Sequence, residues 1–153
     1  MEIKLVGIVG AGQMGNGIAH VFALAGYHVL LNDISEEGLT KALATIEKNI
    51  ERQVSRGKVM PADKRAALER IKTTLKLADL GQCDLIIEAA TERETVKQAI
   101  FEDLLPHLKP TTILTSNTSS ISITRLASRT DRPEKFMGFH FMNPVPVMQL
   151  VEL

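Results

Sequence analysis

The most informative segment of this sequence is Val9-Gly10-Ala11-Gly12-Gln13-Met14-Gly15. Its glycines have the spacing G-x-G-x-x-G, follow the apolar strand-like run 3–9 and open a helical pattern of apolar residues. Glycine triplets also occur in ordinary tight turns, so the motif alone is a weak signal. Here the strand before it and the helix after it lie where a dinucleotide-binding loop requires them. The stretch therefore predicts a strand, a loop and a helix that bind a dinucleotide.

The loop places separate physical demands on its residues. Gly10 permits the sharp turn out of the strand, Gly12 lets the backbone approach a pyrophosphate closely, and Gly15 lets the helix pack tightly on the sheet. Gln13 and Met14 complete the predicted cofactor loop, in which phosphates meet free N–H groups and the positive end of the helix dipole.

An acidic residue, Asp33, lies 21 positions after Gly12 and ends the apolar run 29–31. A carboxylate at this position accepts hydrogen bonds from the adenosine ribose hydroxyls and repels a 2'-phosphate. Ile34 and Ser35 follow it, rather than an arginine that would accommodate that phosphate. We therefore predict NAD as the cofactor rather than NADP.

Composition limits the possible classes of protein. With 153 residues, of which 44% are hydrophobic and 24% charged, the chain can bury one substantial core and is most simply one domain, 1–153. The 18 Lys and Arg residues balance the 18 Asp and Glu residues, which argues against a partner such as nucleic acid or an anionic membrane surface. The apolar runs are far shorter than the ~20 residues of a membrane span.

Compartment and metal content follow from the N-terminus and the single cysteine. The first predicted strand begins at Ile3, which leaves no room for a targeting peptide. Cys83 has no disulfide partner and no neighbours at metal-ligand spacing, so we predict a small core residue and no metal site. We expect a soluble protein of a reducing compartment, the cytoplasm.

Strand-like and helical patterns alternate along the chain. This order indicates parallel pairing with right-handed crossovers, and predicts an α/β fold of the Rossmann type: a doubly wound, mainly parallel sheet with helices on both faces. Ser35 is a predicted N-cap, Gly26 a helix stop and Pro61 a helix start. The predicted strands are 3–9, 28–32, 71–75, 85–90, 112–115 and 136–141, and the predicted helices follow the glycine loop, Ser35, Pro61, Glu92 and Ile121.

The C-terminal segment 144–153 is mostly apolar and ends without a polar tail. Exposed apolar patches usually mark an interface, so we expect this end to pack on something that the chain does not contain. The alternative is that it forms a last strand of the same sheet.

A dehydrogenase needs a base for the alcohol proton and donors for the developing oxyanion. His140 is the best candidate base, because it ends the predicted strand 136–141 at the carboxyl edge, where ligands bind in open α/β sheets. The loop 116–120, Ser-Asn-Thr-Ser-Ser, ends another strand at that edge and brings hydroxyls and an amide there. Each has a plain alternative: a histidine among apolar neighbours is often a core residue, and a serine before 121–123 is often a helix N-cap.

The glycine loop, the loop 116–120 and the segment 138–148 (Gly-Phe-His-Phe-Met-Asn-Pro-Val-Pro-Val-Met) together resemble the L-3-hydroxyacyl-CoA dehydrogenase family, and most of all its short bacterial members that act on 3-hydroxybutyryl-CoA. The resemblance spans essentially all of the chain. It implies that His140 is the catalytic base, Glu152 the carboxylate paired with it, Ser119 the donor to the substrate oxygen, and Asn143 a further site residue. Ser119 and Asn143 would also contact the cofactor.

The resemblance also implies roles for four charged residues. Glu92 and Lys97 match positions on the nicotinamide side, and Arg52 and Arg56 match basic residues that meet the coenzyme A phosphates of an acyl-CoA substrate. From the sequence alone, plain alternatives remain for these residues. Glu92 and Lys97 could be a solvated helix start, Arg52 and Arg56 a surface i,i+4 pair, and Glu152 an exposed strand residue.

Members of the family continue into a mainly helical second domain, which supplies the dimer contact and part of the acyl pocket. The resemblance therefore implies a homodimer formed through a domain that this chain lacks, and reduced turnover of the chain by itself. Two other functions stay open: a related dehydrogenase of hydroxy acids or sugar acids, and a nucleotide-binding module without turnover.

Overall fold

The computed structural model describes residues 2–148 and 151–153. Its main sheet has six parallel strands in the order β3-β2-β1-β4-β5-β6. These strands are β1 (Leu5–Val9), β2 (His28–Asn32), β3 (Ile71–Thr74), β4 (Leu85–Glu88), β5 (Ile113–Ser116) and β6 (Phe136–Gly138). The α-helices are α1 (Gln13–Leu24), α2 (Glu36–Ser55), α3 (Pro61–Arg70), α4 (Glu94–Leu104) and α5 (Ile123–Ser128). Short 3₁₀ helices occupy Leu77–Gln82, Leu105–His107 and Pro133–Lys135.

Helices cover both faces of this sheet, because neighbouring residues of each strand point to opposite sides. On one face Val6 and Ile8 of β1 pack with α1, α2 and α3; on the other, Val9 packs with Ile86 of β4 and with α4 and α5. A sheet that is buried on both faces requires nearly continuous apolar strands, and all four residues of β4 are buried. The predicted doubly wound α/β fold is confirmed.

Several local signals act as the sequence predicts. The Ser35 hydroxyl accepts a hydrogen bond from the Gly38 N–H at 3.0 Å and caps α2. Gly26 follows the end of α1 with φ of 103°, and Pro61 is the first residue of α3. Cys83 is fully buried, and burial raises the pKa of its thiol to about 12, so it is the inert core residue that was expected.

The predicted strand 136–141 is wrong in its extent. It breaks into β6, which pairs with β5, and β7 (His140–Phe141), which pairs antiparallel with β8 (Val151–Glu152) in a separate two-stranded sheet. The chain leaves the main sheet after Gly138, because β5 ends at Ser116 and offers no further backbone partner. His140 therefore lies just beyond the carboxyl edge, rather than at the end of a strand of the main sheet.

One interpretation of the C-terminal segment, a last strand of the same sheet, is wrong, and its packing on something that the chain does not contain stays a prediction. Its strand β8 does not join the main sheet, and Val145 is buried against α1 within this domain, with 3% of its surface exposed. Val147 and Leu153 are exposed, at 72% and 84%. Leu150 lies outside the described residues, so the expectation for its side chain is not addressed.

None of the helices in the described part of the chain combines the length and the apolar character that crossing a membrane requires.

Candidate active site

The glycine loop joins β1 to α1 and leaves an open cradle at the N-terminus of α1. A Cβ atom on Gly10, whose φ is 102°, would lie 2.7 Å from the Ala90 Cα, and one on Gly15 would lie 1.7 Å from the Gly10 carbonyl oxygen. Both positions therefore require glycine for internal packing. A Cβ atom on Gly12 would meet nothing within 4 Å, so at that position the space lies outside the protein. This open space beside a helix N-terminus fits a pyrophosphate group.

Asp33 follows β2 and lies against this loop. Its Oδ2 accepts a hydrogen bond from the Ala11 N–H at 2.8 Å, and its Oδ1 accepts one from the Ser35 N–H at 3.1 Å. A carboxylate can accept about four hydrogen bonds, so the two ribose hydroxyls of an adenosine still find acceptors on this half-buried group. The backbone fixes the direction of the carboxylate before any ligand binds.

Two grooves meet at Gly12 and Asp33. One, of about 730 Å³, runs over the carboxyl ends of the central strands between Ile34, Leu75 and α4. The other, of about 440 Å³, lies between the glycine loop, α2 and the segment 143–146. Together they form a crevice where the strand order reverses on either side of β1, the usual ligand position in such folds.

The second groove is also lined by a positively charged side chain that was not predicted from the sequence. Lys41 lines it together with Asp33, because Gly38, Lys41 and Thr45 lie on one face of α2. No basic residue directly follows Asp33, and Lys41 lies eight positions later along the chain. The spacing of three or four residues from Gly38 along the helix was the signal that could have found Lys41.

His140 and Glu152 are brought together by the pairing of β7 with β8. The His140 Nδ1 lies 3.3 Å from the Glu152 Oε2, and the two side chains are 25% and 66% exposed. An ionised carboxylate only accepts hydrogen bonds, so this contact holds the proton on Nδ1. The Nε2 lone pair of the neutral ring is then the basic position.

The serine loop has a different internal structure from the one predicted. Ser122, which follows the loop, caps α5 by accepting from the Arg125 N–H at 3.1 Å. Within the loop, the Thr118 hydroxyl and the Ser120 hydroxyl donate to the Glu92 carboxylate, at 2.8 and 2.9 Å. Ser119 is exposed between these two anchored residues. Glu92 therefore lies beside the serine loop and holds it in place.

Lys97 does not lie on the surface of the crevice. Its side chain is fully buried on α4, and its ammonium is paired with the equally buried carboxylate of Glu88, at the end of β4. The Ser116 hydroxyl and the Ala90 N–H also donate to that carboxylate, at 2.7 and 2.8 Å. The alternative of a solvated helix start is wrong for Lys97, and direct contact with the cofactor stays a prediction.

Glu88 is a residue that the sequence analysis missed. It was read only as part of the apolar strand 85–90, although an acidic residue in a strand buried on both faces requires a partner. Lys97, nine residues later on the apolar face of the next helix, was the available signal.

Of the remaining predicted residues, one lines the second groove and the two arginines do not. Asn143 is exposed and lines the second groove. Its segment packs closely on α1, since a Cβ atom on Gly17 would come within 2.8 Å of Val145. Arg52 and Arg56 are exposed at the C-terminal end of α2, roughly 21 to 27 Å along the helix axis from Gly38. They do not contact the histidine pair.

No cluster of three or more metal-ligating side chains occurs within 2–148 and 151–153.

Comparison with models of protein families matches residues 5–153 to the family of the 3-hydroxyacyl-CoA dehydrogenase, NAD binding domain. The chain belongs to this family. The match confirms the resemblance to L-3-hydroxyacyl-CoA dehydrogenases and the prediction of NAD as the cofactor.

Three similar proteins match this chain over nearly its whole length. A 3-hydroxybutyryl-CoA dehydrogenase of Bradyrhizobium diazoefficiens is 60% identical over 151 residues, which are 99% of this chain and 52% of that protein. A 3-hydroxyadipyl-CoA dehydrogenase of Escherichia coli is 44% identical over 153 residues, which are 100% of this chain and 32% of that protein. The crystal structure of (S)-3-hydroxybutyryl-CoA dehydrogenase from Ralstonia eutropha matches with a TM-score of 0.95 at 47% identity, over 98% of this chain and 53% of that one. The chain thus spans about half the length of two of these relatives and a third of the other.

Proposed function

We propose that this chain is the cofactor-binding and catalytic half of an NAD-dependent (S)-3-hydroxyacyl-CoA dehydrogenase that interconverts 3-hydroxybutyryl-CoA and its 3-oxo form. The observation that carries the proposal is the His140–Glu152 pair, 3.3 Å apart, just beyond the carboxyl edge of a sheet whose glycine loop fits a dinucleotide. A general base oriented by a carboxylate is what removal of an alcohol proton needs.

In the proposed mechanism, the glycine loop and Asp33 would hold NAD⁺, which would supply the acceptor for the hydride of the substrate C3. His140 takes the proton of the 3-hydroxyl on Nε2, because Nδ1 donates to Glu152. Glu152 keeps the ring in that tautomer and stabilises the imidazolium that forms. In the reverse direction, His140 returns the proton to the oxygen of the 3-ketone.

The exposed hydroxyl of Ser119 is assigned to the substrate oxygen, and Asn143 to the cofactor and substrate. Glu92 supports this role of Ser119, because it anchors Thr118 and Ser120 on either side of it. Lys97 acts from below, through Glu88 and Ser116, on the strand end that carries the serine loop.

Arg52 and Arg56 are assigned to the phosphates of coenzyme A. Their place at the end of α2, away from the histidine pair, suits the nucleotide end of a long thioester substrate. Replacing both with alanine should raise KM for acetoacetyl-CoA and leave it nearly unchanged for a pantetheine thioester that lacks the nucleotide. Equal effects on both substrates would show that the phosphates bind elsewhere.

We further propose that the complete enzyme carries a second, helical domain and forms a homodimer through it, as the resemblance to this family implies. We also propose that it acts in the cytoplasm, since its single cysteine, Cys83, suits a reducing compartment. The exposed side chains of Val147 and Leu153 are the part of this domain that such a second domain would cover.

The substrate class is tested by NADH oxidation with acetoacetyl-CoA and with free acetoacetate. The protein should be tested as this chain and as this chain extended with the second half of the Bradyrhizobium diazoefficiens relative. We expect turnover of acetoacetyl-CoA by the extended protein and little with acetoacetate. A preference for the free acid would favour a hydroxy-acid dehydrogenase, and no turnover of either substrate would favour a binding module.

A further inference from the structure

We propose that Asn117 is the positioning residue that sets the catalytic histidine of the proposed function. The inference rests on that function for the word catalytic, but its structural basis is independent of any activity. Asn117 lies in the serine loop, where its side chain is accounted for neither by helix capping nor by contact with Glu92. Only 8% of its surface is exposed.

Asn117 continues the hydrogen bonding of the sheet beyond the point where its strand ends. The ladder of β5 and β6 stops at the pair Ser116 and Gly138, and its last bond runs from the Phe139 N–H to the Ser116 carbonyl at 3.0 Å. The next N–H on that side, from Phe141, donates to the Asn117 Oδ1 at 2.8 Å. A side-chain oxygen therefore replaces the backbone carbonyl that a longer strand would have supplied.

These two bonds hold the residues on either side of His140. The rings of Phe139 and Phe141 lie 4.8 Å apart and both pack near Phe22 of α1, with centroids at 6.5 and 6.1 Å. Successive residues of a strand point to opposite faces. Anchoring Phe139 and Phe141 therefore turns His140 to the other face, where it meets Glu152.

The position of Asn117 is itself fixed. Its backbone N–H donates to the backbone carbonyl of Glu88 at 2.8 Å, and the side-chain carboxylate of Glu88 is itself buried. The buried end of β4 thus fixes Asn117, and the Asn117 side chain in turn fixes the backbone next to His140. An unpaired N–H at Phe141 would be costly, since that bond is buried.

The test is nuclear magnetic resonance on the 153-residue chain, which needs no substrate. In Asn117→Ala, the Phe141 amide should exchange with solvent roughly tenfold faster, while the Phe139 amide changes little. The ¹⁵N shifts of the His140 ring should move from a dominant Nδ1–H form towards a mixture of tautomers, because the contact with Glu152 loosens. Asn117→Asp, which keeps an accepting oxygen, should retain both signals.

Thr115→Val is the matched control. The Thr115 hydroxyl donates to the Ile86 carbonyl at 2.9 Å, so this change removes a buried side-chain bond from β5, just before Asn117, without touching 139–141. It should destabilise the fold and leave the His140 tautomer unchanged. An unchanged tautomer in Asn117→Ala, a changed one in Thr115→Val, or loss of both signals in Asn117→Asp would overturn the proposal.

If Asn117→Ala does not fold, the parent chain still decides. A scalar coupling across the hydrogen bond, between the Phe141 ¹⁵N and the Asn117 side-chain carbonyl carbon, should be detectable, and its absence would overturn the proposal. Titration of the same samples with NADH keeps the two hypotheses apart. Failure to bind NADH with an intact Phe141–Asn117 bond would contradict the proposed function and not the positioning role.

Discussion

Gly12 is the glycine of the loop that the packing of the protein itself does not require. Gly10 and Gly15 are confined by the protein itself, whereas a Cβ atom on Gly12 meets no atom within 4 Å and its φ of −70° suits any residue. Only a molecule bound in the cradle would sense a methyl group there.

We therefore predict that Gly12→Ala lowers the affinity for NADH by at least about tenfold, because the methyl group keeps the pyrophosphate from the backbone. The free energy of unfolding should change little. Gly15→Ala is the control, and it should destabilise the loop itself because of the clash with the Gly10 carbonyl. Unchanged NADH affinity in Gly12→Ala would mean that the phosphates do not lie on this loop.

His140 is predicted to act on chemistry and not on cofactor binding. In the extended enzyme, His140→Ala should lower kcat by ~10²- to 10⁴-fold, the usual scale for a general acid or base. Its Kd for NADH should stay near that of the parent, as measured by fluorescence titration. Glu152→Gln should lower kcat less, because the base remains and only its orientation is weakened. Activity of His140→Ala within a few-fold of the parent would make this histidine structural.

Elements were predictable wherever the signal was local. The glycine loop, the Ser35 cap and the Pro61 start each depend on residues within one or two turns, and each forms as predicted. The break after Gly138 was not predictable in this way, because it depends on where another strand, β5, ends. The burial of Lys97 was not predictable for a similar reason: it depends on the pairing with Glu88, which lies on a different element.

The carboxylate of Asp84, just before β4, connects β1, β4 and the segment before β5 by hydrogen bonds. It lies far from the proposed catalytic residues. Asp84 accepts hydrogen bonds from the Lys109 ammonium at 2.5 Å and from the N–H groups of Lys4 and Leu5 at 2.9 and 3.0 Å. The Lys109 bond first, and then the two N–H groups, lower the pKa of Asp84 to about 2. The folded state therefore binds a proton on Asp84 less tightly than the unfolded state does. As a result, the ionised carboxylate stabilises the fold at pH values above its ordinary pKa of about 3.9.

Asp84→Asn should therefore reduce the free energy of unfolding at neutral pH by about 1 to 2 kcal/mol, a range that allows for the solvent around Lys109. The difference from the parent should shrink as the pH falls from about 4 towards about 2, where the parent loses the same charge. Urea denaturation across this range measures both, with Glu47→Gln on the exposed side of α2 as the control. A difference that stays constant with pH would contradict the role of the charge.

At the scale of the whole molecule, the C-terminal segment exposes apolar surface at Val147, Met148 and Leu153, which are 72%, 44% and 84% exposed. Val145 does not contribute to it, because it is buried against α1. Each exposed side chain of this kind forgoes roughly 1.5 to 3 kcal/mol of burial.

We predict that the chain self-associates through this surface at high concentration. Replacing Val147 and Met148 with aspartate should favour the monomer in light scattering, whereas Met60→Asp, at a separate exposed site, should not. A parent chain that stays monomeric would contradict the prediction.

Binding of NAD(H) in the crevice through Asp33 can be measured by calorimetric titration of the chain with NADH and with NADPH. We expect tighter binding of NADH, because the fixed carboxylate repels a 2'-phosphate. In Asp33→Ala the difference should narrow, since Lys41 then faces that phosphate without the opposing charge. Binding of NADPH as tight as that of NADH by the parent chain, or no binding of either, would contradict the account.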